Sequence, residues 1–337
     1  MSTMTGSAQV PGYFTQYKNL ALSRSDSGVL TVRFHTDGGP HTFDGTTHHD
    51  FPRLLEDIAF DQDNRILVLT GTGDSFIANI DGASLGDITK PIAADVLYTE
   101  GRRGIQRLVD LEIPIIAAVN GPASVHSEYA LLADVVIAAD TTVFSDLPHL
   151  AFGIAPGDGL FVVWEEVLGL NRARHLEITQ GSFTAQEALS WGAVAEVVPL
   201  EQVLPRAQEL AEQMTERPHL TNKYIAVVFR QRISRRLAEG MLTGMALESL
   251  TAANLAYLQQ GRLTRPERAA ARQGAWPQAA ASCSTASASR PARSPGAPSS
   301  LRRSGAALPG SGESPVSGDD LSHSWRPVSG RTGSAVR

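Results

Sequence analysis

The chain has 337 residues and an apolar share of 42%, enough to bury the core of one large domain or two modest ones. It carries a formal charge of −6 and a single cysteine, Cys283, which excludes an intramolecular disulfide and leaves no Cys-based zinc site or thiol nucleophile in the body. No window reaches ~18 uninterrupted apolar residues, so no membrane-spanning helix of ordinary length is expected.

Met1 to Gly12 is polar and lacks the basic-then-apolar pattern of a signal peptide, so a cytoplasmic location is expected, with a flexible N-terminus over 1–16. Gly28 to His35 then reads as a strand. Thr47 to Phe60 reads as a helix, with Pro52 placed in its first turns. Ile66 to Thr70 and Ile113 to Val119 are short apolar runs suited to buried parallel strands. Ala93 to Leu111 between them has helical periodicity, and Val135 to Ala139 and Thr142 to Phe144 add short strands. Thr184 precedes a helix, and Glu187 three residues on completes a capping box. Leu200 to Gln260 reads as helix after helix. The pattern is an α/β core over 17–199 with a helical C-terminal region over 200–263.

From Thr264 the composition shifts to Ala, Ser, Pro, Gly and Arg, with ten arginines against four acidic residues. Such a segment buries too little apolar surface to offset chain entropy, so 264–337 is expected to be a disordered tail. Its net charge of +6 leaves the body near −12. An acidic body is a poor platform for nucleic acid, whose backbone needs Lys/Arg neutralisation. No nucleic-acid or membrane partner is expected.

The stretch Phe144 to Gly159 carries the most chemistry. It places His149 after a proline and Asp158 between two glycines. Imidazole is suited to moving protons near neutral pH, and a carboxylate can fix its tautomer and stabilise the imidazolium. Gly157 and Gly159 permit the tight backbone that would turn Asp158 back toward His149. The plainer alternative is a core histidine and a turn aspartate that never meet. Glu248 follows Leu237, Met241 and Met245 at steps of four, four and three, on the apolar stripe of one helix. A carboxylate there is either paired or has its proton affinity raised by desolvation. His48, His49 and Asp50 look superficially like metal ligands, but neighbouring residues on a helix point apart, and a solvated helix start is expected instead. Gly71-x-Gly73 lacks the third glycine of a dinucleotide fingerprint, and no Walker loop, Gly-x-Ser-x-Gly elbow or zinc-protease motif occurs. No cofactor and no metal are expected.

The Phe144–Asp146 strand, Pro148, Gly153 and the Pro156-Gly157-x-Gly159 turn resemble the enoyl-CoA hydratase/isomerase (crotonase) superfamily. The resemblance runs from about Tyr17 to Gln260. It takes in Leu69-Thr70-Gly71-Thr72-Gly73-Asp74-Ser75-Phe76, Ile80-Asp81, Ala117-Ala118-Val119-Asn120-Gly121-Pro122, Glu128 ahead of Ala133-Asp134, Trp191-Gly192 and Glu196-Val197-Val198-Pro199. It implies a spiral of βαβ units and a homotrimer or dimer of trimers. The departures narrow it. Hydratases carry a catalytic glutamate after the proline, where this chain has His149. Ser124-Val125-His126 replaces the usual glycines before Glu128, and Asp158 occupies the small-residue position of the turn.

These substitutions resemble the 6-oxocamphor hydrolase branch, which cleaves a carbon–carbon bond of β-diketones by a retro-Claisen reaction. The resemblance implies a His149–Asp158 dyad that activates water, His126 as stabiliser of an oxyanion or enolate, and Glu248 as proton donor or substrate ligand. It implies oxyanion donors near Ile80 and Val125, and leaves Glu128, the hydratase glutamate, as a possible vestige. The branch has an indole where this chain has Phe43, which has no N–H to offer. Phe43, Phe76, Phe152 and Trp164 are candidate pocket lining. The same scaffold leaves open an acyl-CoA hydratase, isomerase or thioester hydrolase, and a non-catalytic scaffold that binds through its tail.

Overall fold

The computed structural model describes residues 10–259; the tail expected over 264–337 lies outside the described residues. Ten strands and nine α-helices follow one another in the described part. They are β1 (Leu20–Arg24), β2 (Val29–Phe34), β3 (Thr42–Phe43), α1 (Gly45–Phe60), β4 (Ile66–Thr70), β5 (Asn79–Ile80), α2 (Pro91–Val109) and β6 (Ile115–Val119). Then come α3 (Ser127–Leu131), β7 (Val135–Ala139), β8 (Val143–Ser145), α4 (Leu147–Phe152), α5 (Leu160–Leu168), α6 (Leu170–Thr179), β9 (Ser182–Thr184), α7 (Ala185–Trp191) and β10 (Glu196–Val198). Two helices, α8 (Leu200–Thr215) and α9 (His219–Gln259), close the chain's described part.

Six strands form one sheet in the order β1-β2-β4-β6-β7-β10, parallel except for the β1–β2 pair. β4 and β6 are buried at every residue, as inner strands of a sheet covered on both faces should be. Their side chains alternate: Leu67 and Leu69 join the large core under α1, α2 and α5, while Ile66 and Val68 join a second core. That second core is sealed by Val203, Ala207 and Ala211 of α8. The expected α/β core with a helical end is what folds.

Two boundaries differ from expectation, at the N-terminus and at α1, while the C-terminal region is helix after helix as expected. Residues 12–15 form a 3-10 turn rather than a flexible end, because the Tyr13 hydroxyl donates to Asp61 at 2.8 Å and accepts from Asn64. α1 begins at Gly45, with the Asp44 side chain accepting from the Thr47 N–H; Pro52 therefore lies in its interior, not its first turns. The C-terminal region is two helices, the second of 41 residues. Buried Arg230 anchors that helix, donating to the carbonyls of Leu108, Val109 and Ile113 and pairing with Asp134 at 3.0 Å. The Thr184–Glu187 capping box forms in full. Among the described residues, no helix is long and apolar enough to cross a membrane.

Candidate active site

A cavity of about 290 Å³ opens between α2, the α3 and α4 turns and α9, near the lower end of ordinary ligand pockets. Phe43, Ile80, Leu85, Ile105, Phe152 and Met245 supply much of its apolar wall. One side is different in kind: His126, His149, Asp158 and Glu248 all reach it. No lysine or arginine lines it among the described residues.

His149 stands in the first turn of α4, where Asp146 is the N-cap. The cap places the Asp146 carboxylate beside the ring, and His149 Nδ1–H donates to Asp146 Oδ1 at 2.8 Å. Nε2 therefore faces the cavity, 3.6 Å from Asp158 Oδ2 and 3.9 Å from Glu248 Oε1. His149 and Asp158 do come together, but not as the orienting dyad expected of them. Asp158 lies at ion-pair range from the nitrogen that must stay available, and Asp146 does the orienting. An aspartate three residues ahead of a histidine at a helix start was the signal for it.

Asp158 owes its place to the two glycines around it. Gly159 has φ +110°, a left-handed conformation open to glycine. A Cβ at Gly157 would stand 2.3 Å from the Gly244 carbonyl oxygen, so α9 approaches this loop backbone to backbone. That approach delivers Glu248, one turn beyond Gly244, to the same side of the cavity.

His126 is the N-cap of α3 and adopts φ 50°, ψ 47°. Its Nδ1 is 2.6 Å from Glu128 Oε1 and 3.5 Å from Asp158 Oδ2. The ring stacks on Tyr129, 4.7 Å between centroids and 5° from parallel, and lies 4.4 Å from Phe43.

The charges act on one another. Burial pulls the His149 pKa down, but the Asp158, Asp146 and Glu248 carboxylates outweigh it and hold the ring at about 10. Burial likewise opposes protonation of His126, and the Glu128 and Asp158 carboxylates raise it all the same. Asp158 is held below its usual range, burial being outweighed by the two imidazolium charges. Glu248 is pushed up to about 7 by burial and by the Asp158 charge. His126, Glu128 and Asp158 each bring one nitrogen or oxygen atom within 4.8 Å of the others, and two of these atoms are joined by the His126–Glu128 hydrogen bond.

Of the other expected residues, Phe43, Ile80 and Phe152 line the cavity. Phe76 and Trp164 do not. Phe76 is fully buried against Phe34 at 5.7 Å, and Trp164 packs on Phe183 and donates from Nε1 to Ser127 Oγ at 3.1 Å. Val125 is no oxyanion donor: its N–H is committed to the Ile77 carbonyl at 3.1 Å and its side chain is buried in the core. His48 is the opposite case. Only 7% exposed, it lines the cavity instead of facing solvent. Its Nδ1 and that of His49 share Glu100, at 3.2 and 2.7 Å. The apolar stripe His48–Phe51–Leu55 at steps of three and four was the overlooked sign.

Comparison with known proteins bears on the family and the fold. A family profile described as enoyl-CoA hydratase/isomerase matches residues 24–262. A probable peroxisomal enoyl-CoA hydratase of Arabidopsis thaliana is 30% identical over 207 residues, 59% of this chain and 74% of the relative. The carnitinyl-CoA dehydratase of Salmonella arizonae is 33% identical over 178 residues, covering 52% and 67%. Among solved structures, a β-diketone hydrolase of the cyanobacterium Anabaena, bound to (S)-3-oxocyclohexyl acetic acid, is 45% identical. It superposes with a TM-score of 0.73 over 74% of this chain and 99% of its own. An enoyl-CoA hydratase/isomerase from Mycobacterium paratuberculosis, at 21% identity and a TM-score of 0.65, shares the fold. The chain belongs to the enoyl-CoA hydratase/isomerase (crotonase) family.

Proposed function

We propose that the protein is a hydrolase that cleaves a carbon–carbon bond of a β-diketone by a retro-Claisen reaction. The observation that carries this reading is the convergence of His149, Asp158 and His126 on one side of an otherwise apolar cavity that, among the described residues, no lysine or arginine lines. The 45% identity to a β-diketone hydrolase supports it. The cavity suits a compact neutral substrate, and no lysine or arginine is placed in it to meet an anionic one.

Water is taken beside His149 Nε2 and Asp158 Oδ2, within reach of both, and attacks one carbonyl while Nε2 accepts its proton. His149 Nδ1–H stays on Asp146, which stabilises the imidazolium as it forms. The tetrahedral intermediate collapses with carbon–carbon cleavage, and the enolate oxygen is held by His126. The proton then passes to the enolate carbon by way of Glu248, 3.9 Å from Nε2 and poised near neutrality. The product is a keto acid, with the elements of one water added. A cytoplasmic homotrimer or dimer of trimers belongs to the same reading. The stripe Leu220, Tyr224, Ile225, Val228 and Phe229 on α9 is exposed, apolar surface of the kind that self-association covers.

The test is turnover of bicyclic and monocyclic β-diketones followed by loss of enol absorbance, with acyl-CoAs run alongside. Diketone cleavage that vanishes in His149→Ala is the expected result. Turnover confined to acyl-CoAs would overturn the reading and favour the hydratase chemistry of the family.

A further inference from the structure

Glu128 is in the right place in the sequence to be a hydratase acid–base and in the wrong place in the structure. Its side chain is completely buried, and it does not border the cavity that His126, His149, Asp158 and Glu248 share. What it touches is His126: Oε1 lies 2.6 Å from Nδ1. No other hydrogen-bond donor claims its second oxygen, Oε2, among the described residues.

That contact is not one a regular helix provides. Side chains two residues apart do not face each other on a helix. They meet here because His126, the N-cap, is left-handed at φ 50°, ψ 47°, a conformation uncommon outside glycine that asparagine, aspartate and histidine enter more often than other residues. The turn folds the imidazole back over the first turn of its own helix. Tyr129 stacks on one side of the ring and Phe43 packs close to it, so the ring plane is fixed as well as its Nδ1. With Nδ1 held by Glu128 and 3.5 Å from Asp158, Nε2 is the ring nitrogen that neither carboxylate occupies.

We propose that Glu128 is the positioning residue of His126. It fixes the ring through Nδ1 and holds the proton on it, so that Nε2–H is a standing donor for the oxyanion and enolate. The inference rests on the diketone hydrolase reading and gives the hydratase glutamate a different role, in which it acts through a histidine and does not touch substrate. The other groups that bear on His126 are Asp158, which also favours its charged form, the His149 imidazolium, which opposes it, and Glu248 on α9. The Tyr129 hydroxyl belongs to the stacked ring and is held well above its usual range by burial.

The experiment is a double-mutant cycle on diketone turnover, with Glu128→Gln and His126→Ala made separately and together, and folding checked by thermal melts. Glu128→Gln alone should lower kcat by at least about tenfold with KM within about twofold, since a donor aimed at developing charge acts in the transition state. In the His126→Ala background the same change should cost less than about twofold. Equal losses in both backgrounds would overturn the proposal, because Glu128 would then act without the histidine. Ring-nitrogen NMR of the wild-type full chain, with His126 assigned by its loss in His126→Ala, guards against a variant that fails to fold. Both ring nitrogens should be protonated at neutral pH; a neutral ring with a bare Nδ1 would overturn it. If the wild-type enzyme cleaves no diketone, the functional reading fails while the NMR still decides the role of Glu128.

Discussion

Two histidines reach one cavity from the first turns of two short helices, and each rests its Nδ1 on a carboxylate of its own helix. The Asp146–His149 pair uses an ordinary helix cap: the N-cap residue is the acid and the histidine sits three positions on. The His126–Glu128 pair inverts this, with the histidine at the cap, the acid two positions on, and a left-handed residue closing the gap. The first pair is available to many sequences; the second asks for a strained backbone of the kind that costs about 1–3 kcal/mol and persists where surroundings over-determine it. Asp158 stands between the two rings, 3.5 Å from one and 3.6 Å from the other. The difference fits the proposed division of labour. His149 keeps an Nε2 that faces the Asp158 and Glu248 carboxylates, as the proposed base requires, whereas His126 is walled by aromatics and an acid, as the proposed donor requires.

Removing each ring in turn tests that division most directly. His149→Ala should lower diketone turnover by ~10²–10⁴, the usual contribution of a general base, and should abolish the acid limb of the pH–rate profile. His126→Ala should cost ~10²–10³, as for loss of one oxyanion donor, while the acid limb survives. Steady-state kinetics from pH 6 to 10 separates the two. An acid limb lost in His126→Ala and kept in His149→Ala would reverse the assignment.

The next effect is that of the carboxylates. His149 is charged at neutral pH, and only its unprotonated form accepts a proton, so kcat/KM should rise as pH climbs from 7 toward 10. The apparent value belongs to the whole cluster. Asp146→Asn removes a charge that holds the proton on His149, so the limb should move to lower pH. The high-pH plateau should fall roughly 10-fold as the tautomer loses its anchor. An unmoved limb and an undiminished plateau would make Asp146 a helix cap and nothing more.

Stability should run the other way over the same window. A histidine raised to about 10 binds its proton more tightly folded than unfolded. Its contribution is fully present below the unfolded value near 6.5 and is lost as pH rises through 10. Glu248, raised to about 7, and Glu177, raised to about 8 mainly by burial and the nearby Asp146 charge, act in the same direction at lower pH. Calorimetry should therefore show the melting temperature falling from pH 7 to 10 while activity climbs. In His149→Ala the decline above pH 8 should be shallower.

The contrast between the two pairs also marks what a sequence makes legible. The buried parallel strands, the capping box at Thr184 and the placement of Glu248 on an apolar stripe follow from periodicity and spacing, and they appear where expected. Asp146 is equally legible, since a cap three residues before a histidine is a local pattern. The His126–Glu128 contact was not legible, because it depends on a left-handed residue that no local signal announces. Phe76 and Trp164 were misplaced for a different reason: an aromatic residue near a motif carries no sign of which side of its backbone faces the cavity. His48 follows its helical stripe with Phe51 and Leu55 rather than its chain neighbours His49 and Asp50.

The smallest expected effect bears on whether α3 itself holds His126 in place. Ser127 follows His126 directly, and its hydroxyl accepts from the buried Trp164 Nε1 at 3.1 Å, fastening α3 to α5. Ser127→Ala leaves that indole N–H without its partner in the core, which should cost about 1–3 kcal/mol of stability. If Glu128 and the two flanking rings are what position the imidazole, kcat should stay within about twofold of wild type, because none of those contacts passes through the serine. A loss of kcat comparable to that of Glu128→Gln, in a variant that still melts cooperatively, would mean that the seat of the helix matters as much as the carboxylate. The two pairs would then differ less than their hydrogen bonds imply: each histidine would be held chiefly by the docking of its helix, and the acids would set only the charge.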